Sequence, residues 1–177
     1  FVSLVHLARE CGFNPKTTPF TMVGIGDMSG DVFGNGLLQS HHTKLVAAFN
    51  HSHIFIDPTP HAALSFNERQ RLFALPKSNW SDYNRKLISE GGGVFARSPK
   101  KISLSIEMKA VLATEVDTMT SDELISAILQ MPVDVLWNGG IGTYVKSSEE
   151  NHHDVGDRTN DAVRVNGNQL RARIVCE

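Results

Sequence analysis

Apolar residues stand at positions 1, 4, 5, 8 and 11 of FVSLVHLAREC, the spacing of one helical face, and Gly12 supplies a stop. Pro15 and Pro19 then mark a loop. The apolar run FTMVGI (20–25) predicts a buried strand, and the glycine-rich stretch behind it predicts a tight turn. DVFGNGLLQS (31–40) predicts a helix that Gly34 and Gly36 weaken. KLVAAF (44–49) and HIFID (53–57) are further strand-like runs, the second closed by Pro58. Helix, strand, helix, strand in this order is the pattern of a parallel α/β sheet.

Residues 58–131 interrupt that alternation with mainly helical signals. NERQRLFAL (67–75) predicts a short helix before Pro76, and SDYNRKLIS (81–89) a helix capped by Ser81. EGGGVFARSPKK reads as a loop, and SIEMKAVLA (105–113) as another helix. Thr120 to Glu123 has the form of a capping box ahead of LISAILQM, the clearest helix start in the chain. VDVLW (133–137) is then a buried strand, DRTNDAVRVNG (157–167) a helix and turn, and LRARIVCE (170–177) a last strand. The expected class is α/β: a doubly wound, mostly parallel sheet flanked by helices, with a helical excursion at about 58–131. The chain begins at Phe1 inside a helical pattern and stops at Glu177 after a strand, so a fragment of a longer polypeptide is expected.

Charge narrows the partners. With 17 basic and 19 acidic side chains and no block of either sign, nucleic acid and membrane surfaces are not expected as partners. Cys11 and Cys176 have no metal-type spacing and suggest no disulfide framework, so a reducing, cytoplasmic setting is expected. Among eight histidines, His41-His42 and His152-His153 are adjacent pairs that share no helical face, and no metal site is expected. Trp80 and Trp137 read as packing residues, and Cys176 as inert core.

The chemistry concentrates in MVGIGDMSGDVFGNG (22–36). A strand, then G-x-G, then a helix is the dinucleotide-binding layout, and Gly24, Gly26 and Gly30 supply its glycines with one residue more than G-x-G-x-x-G. A merely structural βα turn is the competing reading. The second half of the fingerprint is an acid at the end of the second strand, placed to bond the adenosine ribose. Asn50 stands at that position, and Asp57, after HIFID, is the alternative. No arginine follows either closely, which favours NAD over NADP. A second glycine cluster, Asn138-Gly139-Gly140-Ile141-Gly142-Thr143, follows VDVLW and would border the same crevice. Asp27 and Asp31 are unexpected where a phosphate should lie. Acids in a first helical turn meet free N–H groups and the helix dipole, so both are candidate caps that compete with a ligand.

Several stretches match one family together: VGIGDMSGDVFGNGLL, HIFIDPTP, ERQRLFALP, LISEGGGVFARSPKKI, VDVLWNGGIGTYVK and DVGDRTNDAVRVNG with LRARIVCE. The chain resembles the large NAD-specific glutamate dehydrogenases of bacteria over nearly its whole length. The resemblance implies oxidation of L-glutamate to 2-oxoglutarate and ammonia with NAD as hydride acceptor. It implies that residues 1–177 are one Rossmann-like dinucleotide-binding domain. The glutamate-binding half, with its catalytic lysine and aspartate, would lie upstream, and closing helices beyond Glu177. By the same resemblance, Gly24, Gly26 and Gly30, with the N–H groups of Met28, Ser29, Gly30 and Asp31, would hold the pyrophosphate. Asn138, Gly139 and Gly140 would face the nicotinamide end. No catalytic residue is expected in this part, and the fragment alone is expected to be inactive. A homo-oligomer is expected for the full-length enzyme. Asn50 departs from the Asp that family members often carry there. From the residues alone, a non-catalytic nucleotide-binding module and an S-adenosylmethionine-dependent enzyme remain as alternatives on the same fold.

Overall fold

The computed structural model describes residues 1–98, 100–140 and 142–177. Helix α1 (Val2–Glu10) buries Leu4, Val5 and Ala8, part of the predicted apolar face. Strand β1 (Phe20–Ile25) follows as predicted. Helix α2 (Asp31–Leu37) stops three residues short of the predicted end; Ser40 then donates to the Pro15 carbonyl at 2.5 Å. Strands β2 (Thr43–Phe49) and β3 (His53–Ile56) come next. Helix α3 (Ala62–Ala74) starts earlier than predicted, because the His61 ring accepts from the Leu64 N–H as a cap.

The segment predicted as a helix over 81–89 is instead two 3₁₀ turns, Trp80–Asp82 and Arg85–Leu87. Asn79 caps the first and Asn84 the second, and the extended Tyr83 between them breaks any continuous helix. GVFA, predicted as loop, is strand β4 (Gly93–Ala96). After the short β5 (Ile102–Ser103) come α4 (Ile106–Leu112), capped by Ser105, and β6 (Thr118–Met119), which pairs with β5. Helix α5 (Ser121–Leu129) carries the predicted capping box between Thr120 and Glu123. Strand β7 (Val135–Asn138) is followed by β8 (Val145–Lys146), α6 (His152–Val155), β9 (Val165–Asn166) and β10 (Ile174–Cys176). The predicted helix after Asp157 is one 3₁₀ turn, Arg158–Asn160.

Among the described residues the main sheet has the order β10-β7-β1-β2-β3-β4. The first four strands are mutually parallel. Strand β3 runs antiparallel to β2, and β4 antiparallel to β3. The parallel order expected from the alternation therefore stops at β2. Only three residues, Asn50 to Ser52, join β2 to β3, too few for the crossover that a parallel pair needs.

Both faces of the sheet are covered. Leu4, Ala8, Phe33, Leu37 and Leu72 of α1, α2 and α3 pack on one face, against Met22, Phe55 and Trp137. Met108, Leu112, Leu124, Ile125 and Ile128 of α4 and α5 pack on the other, against Val23, Val46 and Ile54. Residues 58–131 thus belong to both helical layers and to one sheet edge rather than extending away. No helix among the described residues is long and apolar enough to cross a membrane.

Candidate functional site

From β1 the chain passes to β2 on one side, and β7 arrives later on the other. The carboxyl ends of all three are level, since Ile25 pairs with Phe49 and with Asn138. At such a switch in strand order the loops part and leave a crevice. Here it is a cleft of about 580 Å³. Its rim combines the turn after β1, Asn50 and His51 after β2, Gly139 and Gly140 after β7, and Tyr144. The volume is that of a small-molecule site.

The turn after β1 is shaped around one ring. A Cβ on Gly24, Gly26 or Gly139 would come within 2.4, 2.9 or 2.6 Å of the Phe33 side chain. Glycines from two loops therefore let Phe33 sink onto the strand ends and set the start of α2 down at the cleft floor. Gly26 also has φ +140, which favours glycine. Its N–H donates to the Phe49 carbonyl at 2.8 Å, and its own carbonyl accepts from the fully buried Trp80 indole at 2.8 Å. Gly36 lies where a Cβ would meet the Trp137 ring at 2.4 Å, so helix α2 rests close on β7. The N–H groups of Val32 and Phe33, in the first turn of α2, meet no acceptor among the described residues.

Asp27 ties the turn together. Its Oδ1 accepts from the Ser29 N–H (3.1 Å), the Ser29 hydroxyl (2.6 Å) and the Gly30 N–H (3.1 Å). Its Oδ2 accepts from Asn50 Nδ2 at 3.1 Å. The Asn50 Oδ1 accepts from the N–H groups of Ser52 and His53, both at 2.8 Å, and so shapes the β2–β3 turn. Asp31 does not cap the helix by hydrogen bond; it accepts from Asn35 Nδ2 at 2.6 Å, one turn on.

The second wall is held from behind. Thr143 N–H and Asn160 Nδ2 donate to Asp157 Oδ2 at 2.8 and 2.7 Å, and these bonds hold the Asp157 carboxyl below its ordinary range. Arg164, with a fully buried side chain, donates to the Thr143 carbonyl at 2.8 Å and to Asp161 at 2.6 Å. Burial pushes the Tyr144 phenol up from its usual value.

The structure gathers Gly26, Asp27, Gly30, Asp31, Asn50, Gly139 and Gly140 at one cleft. It sets the other expected residues apart. Gly24 lies inside β1 beneath Phe33, where the missing Cβ makes room for the ring, and it is not among the cleft-lining residues. Met28 turns its side chain into the core, and the N–H groups of Ser29 and Gly30 are held by Asp27 rather than free. Asn138 points away, donating to Glu177 at 3.3 Å and lining a smaller neighbouring cleft. Asp57 lies beside the middle of β2, back from the strand ends that rim the cleft, because β3 runs back along β2: its N–H donates to the Val46 carbonyl. There it is fully buried, accepting from the Ser89 N–H and hydroxyl, and burial raises its carboxyl above the ordinary range. Ile141 lies outside the described residues. Val32, His51, Tyr144 and the supporting Trp80 carry no sequence motif and are found only through the fold. The described residues contain no cluster of three His, Cys, Asp or Glu side chains able to hold a metal.

A sequence profile described as bacterial NAD-glutamate dehydrogenase, catalytic domain, matches residues 1–177. A protein named NAD-specific glutamate dehydrogenase from Pseudomonas aeruginosa is 59% identical over 177 residues, all of this chain and 11% of that protein. Proteins of the same name from Mycobacterium tuberculosis and Halomonas elongata are 58% and 57% identical, each over 96% of this chain. The chain spans about a tenth of the length of the curated relatives it matches, 11% and 10% in these two cases.

Proposed function

The chain belongs to the bacterial NAD-glutamate dehydrogenase catalytic-domain family, and on that premise we propose that it is the Rossmann-like dinucleotide-binding part of such an enzyme. The observation that carries the proposal is the cleft at the level ends of β1, β2 and β7, with glycine turns on two sides. The residues present fit NAD. Phe33, seated against three glycines, sets the start of α2 at the cleft floor. The N–H groups of Val32 and Phe33 have no other acceptor and face a phosphate favourably. Ile25, Val32 and Tyr144 give apolar walls for the rings. Of the alternatives open at the glycine pattern, membership of an NAD-dependent dehydrogenase family selects the dehydrogenase.

Bound NAD supplies the nicotinamide that accepts hydride from glutamate. This chain binds and orients it. The Arg164–Asp157 network anchors Thr143, and the packed core under the cleft excludes water from one side. Glutamate binding and proton transfer fall to segments elsewhere in the parent protein, a reading supported by the absence of a lysine from the cleft lining among the described residues. Hydride transfer requires reacting atoms about 3–3.5 Å apart, so the two parts must close on one another. The isolated chain turns over no glutamate, and measured turnover by it would refute this division of labour. In the full-length enzyme, Val32→Glu places a charge at the cleft mouth on a residue that is 61% exposed, so folding is spared. KM for NAD should rise at least tenfold, and an unchanged KM would count against the cleft.

A further inference from the structure

We propose that Asp27 is the residue that selects NAD against its 2′-phosphorylated counterpart, by carrying a carboxylate from the glycine turn to the end of β2; this rests on the cleft being the dinucleotide site. In this layout the adenosine ribose lies at the end of the second strand, where an acid accepts from its hydroxyls. Strand β2 ends in Asn50, which brings no carboxylate: its Oδ1 takes two backbone N–H groups and its Nδ2 gives one of its two N–H groups to Asp27. Asp57 is fully buried beside the middle of β2 and is not among the cleft-lining residues. The carboxylate that does reach the end of β2 is that of Asp27, 3.1 Å from the Asn50 amide and on the cleft rim.

Its geometry suits the task. Three donors from Ser29 and Gly30 fix Oδ1, while Oδ2 takes only the Asn50 amide and keeps a lone pair for a hydroxyl. The same charge repels a phosphate ester on that hydroxyl, and Asp31 on the same rim adds to the repulsion. Arg97, brought to this end by β4, has its guanidinium held by other partners. Its guanidinium faces the Asn50 carbonyl at 3.3 Å and Asp122 at 3.6 Å, and it is not among the cleft-lining residues.

Asp27 and Asn50 form a donor–acceptor pair that can be reversed. In Asp27→Asn alone, two amides face each other and the local charge is lost. In the exchange Asp27→Asn with Asn50→Asp, the amide at 27 donates to the carboxylate at 50, whose other oxygen still accepts from Ser52 and His53. The test measures kcat/KM with NAD and with NADP for the full-length enzyme and these two variants, beside Val32→Glu. The expected result is a fall of at least tenfold in the NAD-to-NADP ratio for Asp27→Asn and its recovery in the exchange. A ratio unchanged in Asp27→Asn, or still low in the exchange, overturns the assignment of Asp27 while Val32→Glu continues to weaken NAD. If Val32→Glu leaves both dinucleotides unaffected, the cleft itself is wrong.

Discussion

Asn50→Asp restores the acid that the resemblance would place at the end of β2, and it should nevertheless weaken NAD binding. The new carboxylate keeps its two bonds from Ser52 and His53, so its second oxygen is fixed opposite Asp27, where Asn50 Nδ2 now lies at 3.1 Å. Two unit charges about 3 Å apart repel by ~5 kcal/mol at an effective dielectric constant of about 20 and by ~1.4 kcal/mol in bulk water. Asn50 is 7% exposed and Asp27 half-buried, which places the pair between those limits. Loss of the hydrogen bond adds about 1 kcal/mol. The pair relieves the repulsion by holding a proton, so the defect grows as pH rises above the ordinary carboxylate range. The assay is KM for NAD of the full-length enzyme from about pH 5 to about pH 8, with heat-inactivation midpoints alongside. KM should be raised at least tenfold at the upper end and approach wild type at the lower. Tighter binding, or a KM shift independent of pH, would refute the reasoning.

The remaining predictions concern packing and the buried carboxyl behind the cleft. Gly139→Ala puts a Cβ 2.6 Å from Phe33 Cδ2 and 2.9 Å from Phe33 Cα, the latter a backbone atom that cannot swing away. An overpacking cost of about 1–3 kcal/mol and a several-fold rise in KM for NAD should follow, measured by thermal shift and initial rates. Asp57→Asn should leave KM for NAD unchanged, because residue 57 is fully buried beside the middle of β2, outside the cleft lining. Burial raises this carboxyl, so the folded chain holds a proton that the unfolded chain releases, and stability falls as pH climbs through the window above the ordinary value. The amide keeps the Ser89 bonds without the charge, so the variant should gain stability relative to wild type as pH rises above the ordinary carboxylate range in urea titrations. A raised KM for NAD would return Asp57 to the site.

What was legible in the sequence was whatever local chemistry determines. The apolar run of β1 and the capping box of α5 stand where the residues put them. Strand β4 was not legible, because GVFA has two-residue alternation too short to see and glycines before it; its order comes from pairing with β3. The 81–89 segment failed for a related reason: Asn79 and Asn84 restart the backbone locally, and buried Trp80 and Tyr83 then hold it against Phe55. The antiparallel turn of β3 was encoded by a link of three residues, a length signal weaker to the eye than the strand pattern around it. For the cleft, residues adjacent to strand ends were readable, because a strand–turn–helix places them by itself. Trp80 and Tyr144 reach it only through tertiary packing.

The extra residue in the glycine spacing and the two acids are one feature. With G-x-G-x-x-x-G, the turn has room for an Asx-type loop in which Asp27 gathers the Ser29 and Gly30 N–H groups on one oxygen. Gly30 has φ −72, an ordinary extended conformation, so the chain does not need glycine there for backbone freedom. Gly26, at φ +140 over Phe33, does. The turn is thus rigid before any ligand arrives, stitched from below by Trp80 and sideways by Asn50. The donors without an acceptor among the described residues lie three residues further on, at Val32 and Phe33 rather than Ser29 and Gly30. An acid in the turn is therefore compatible with an anion beside it: Asp27 spends its charge on donors the anion would not use and directs its remaining oxygen toward the end of β2.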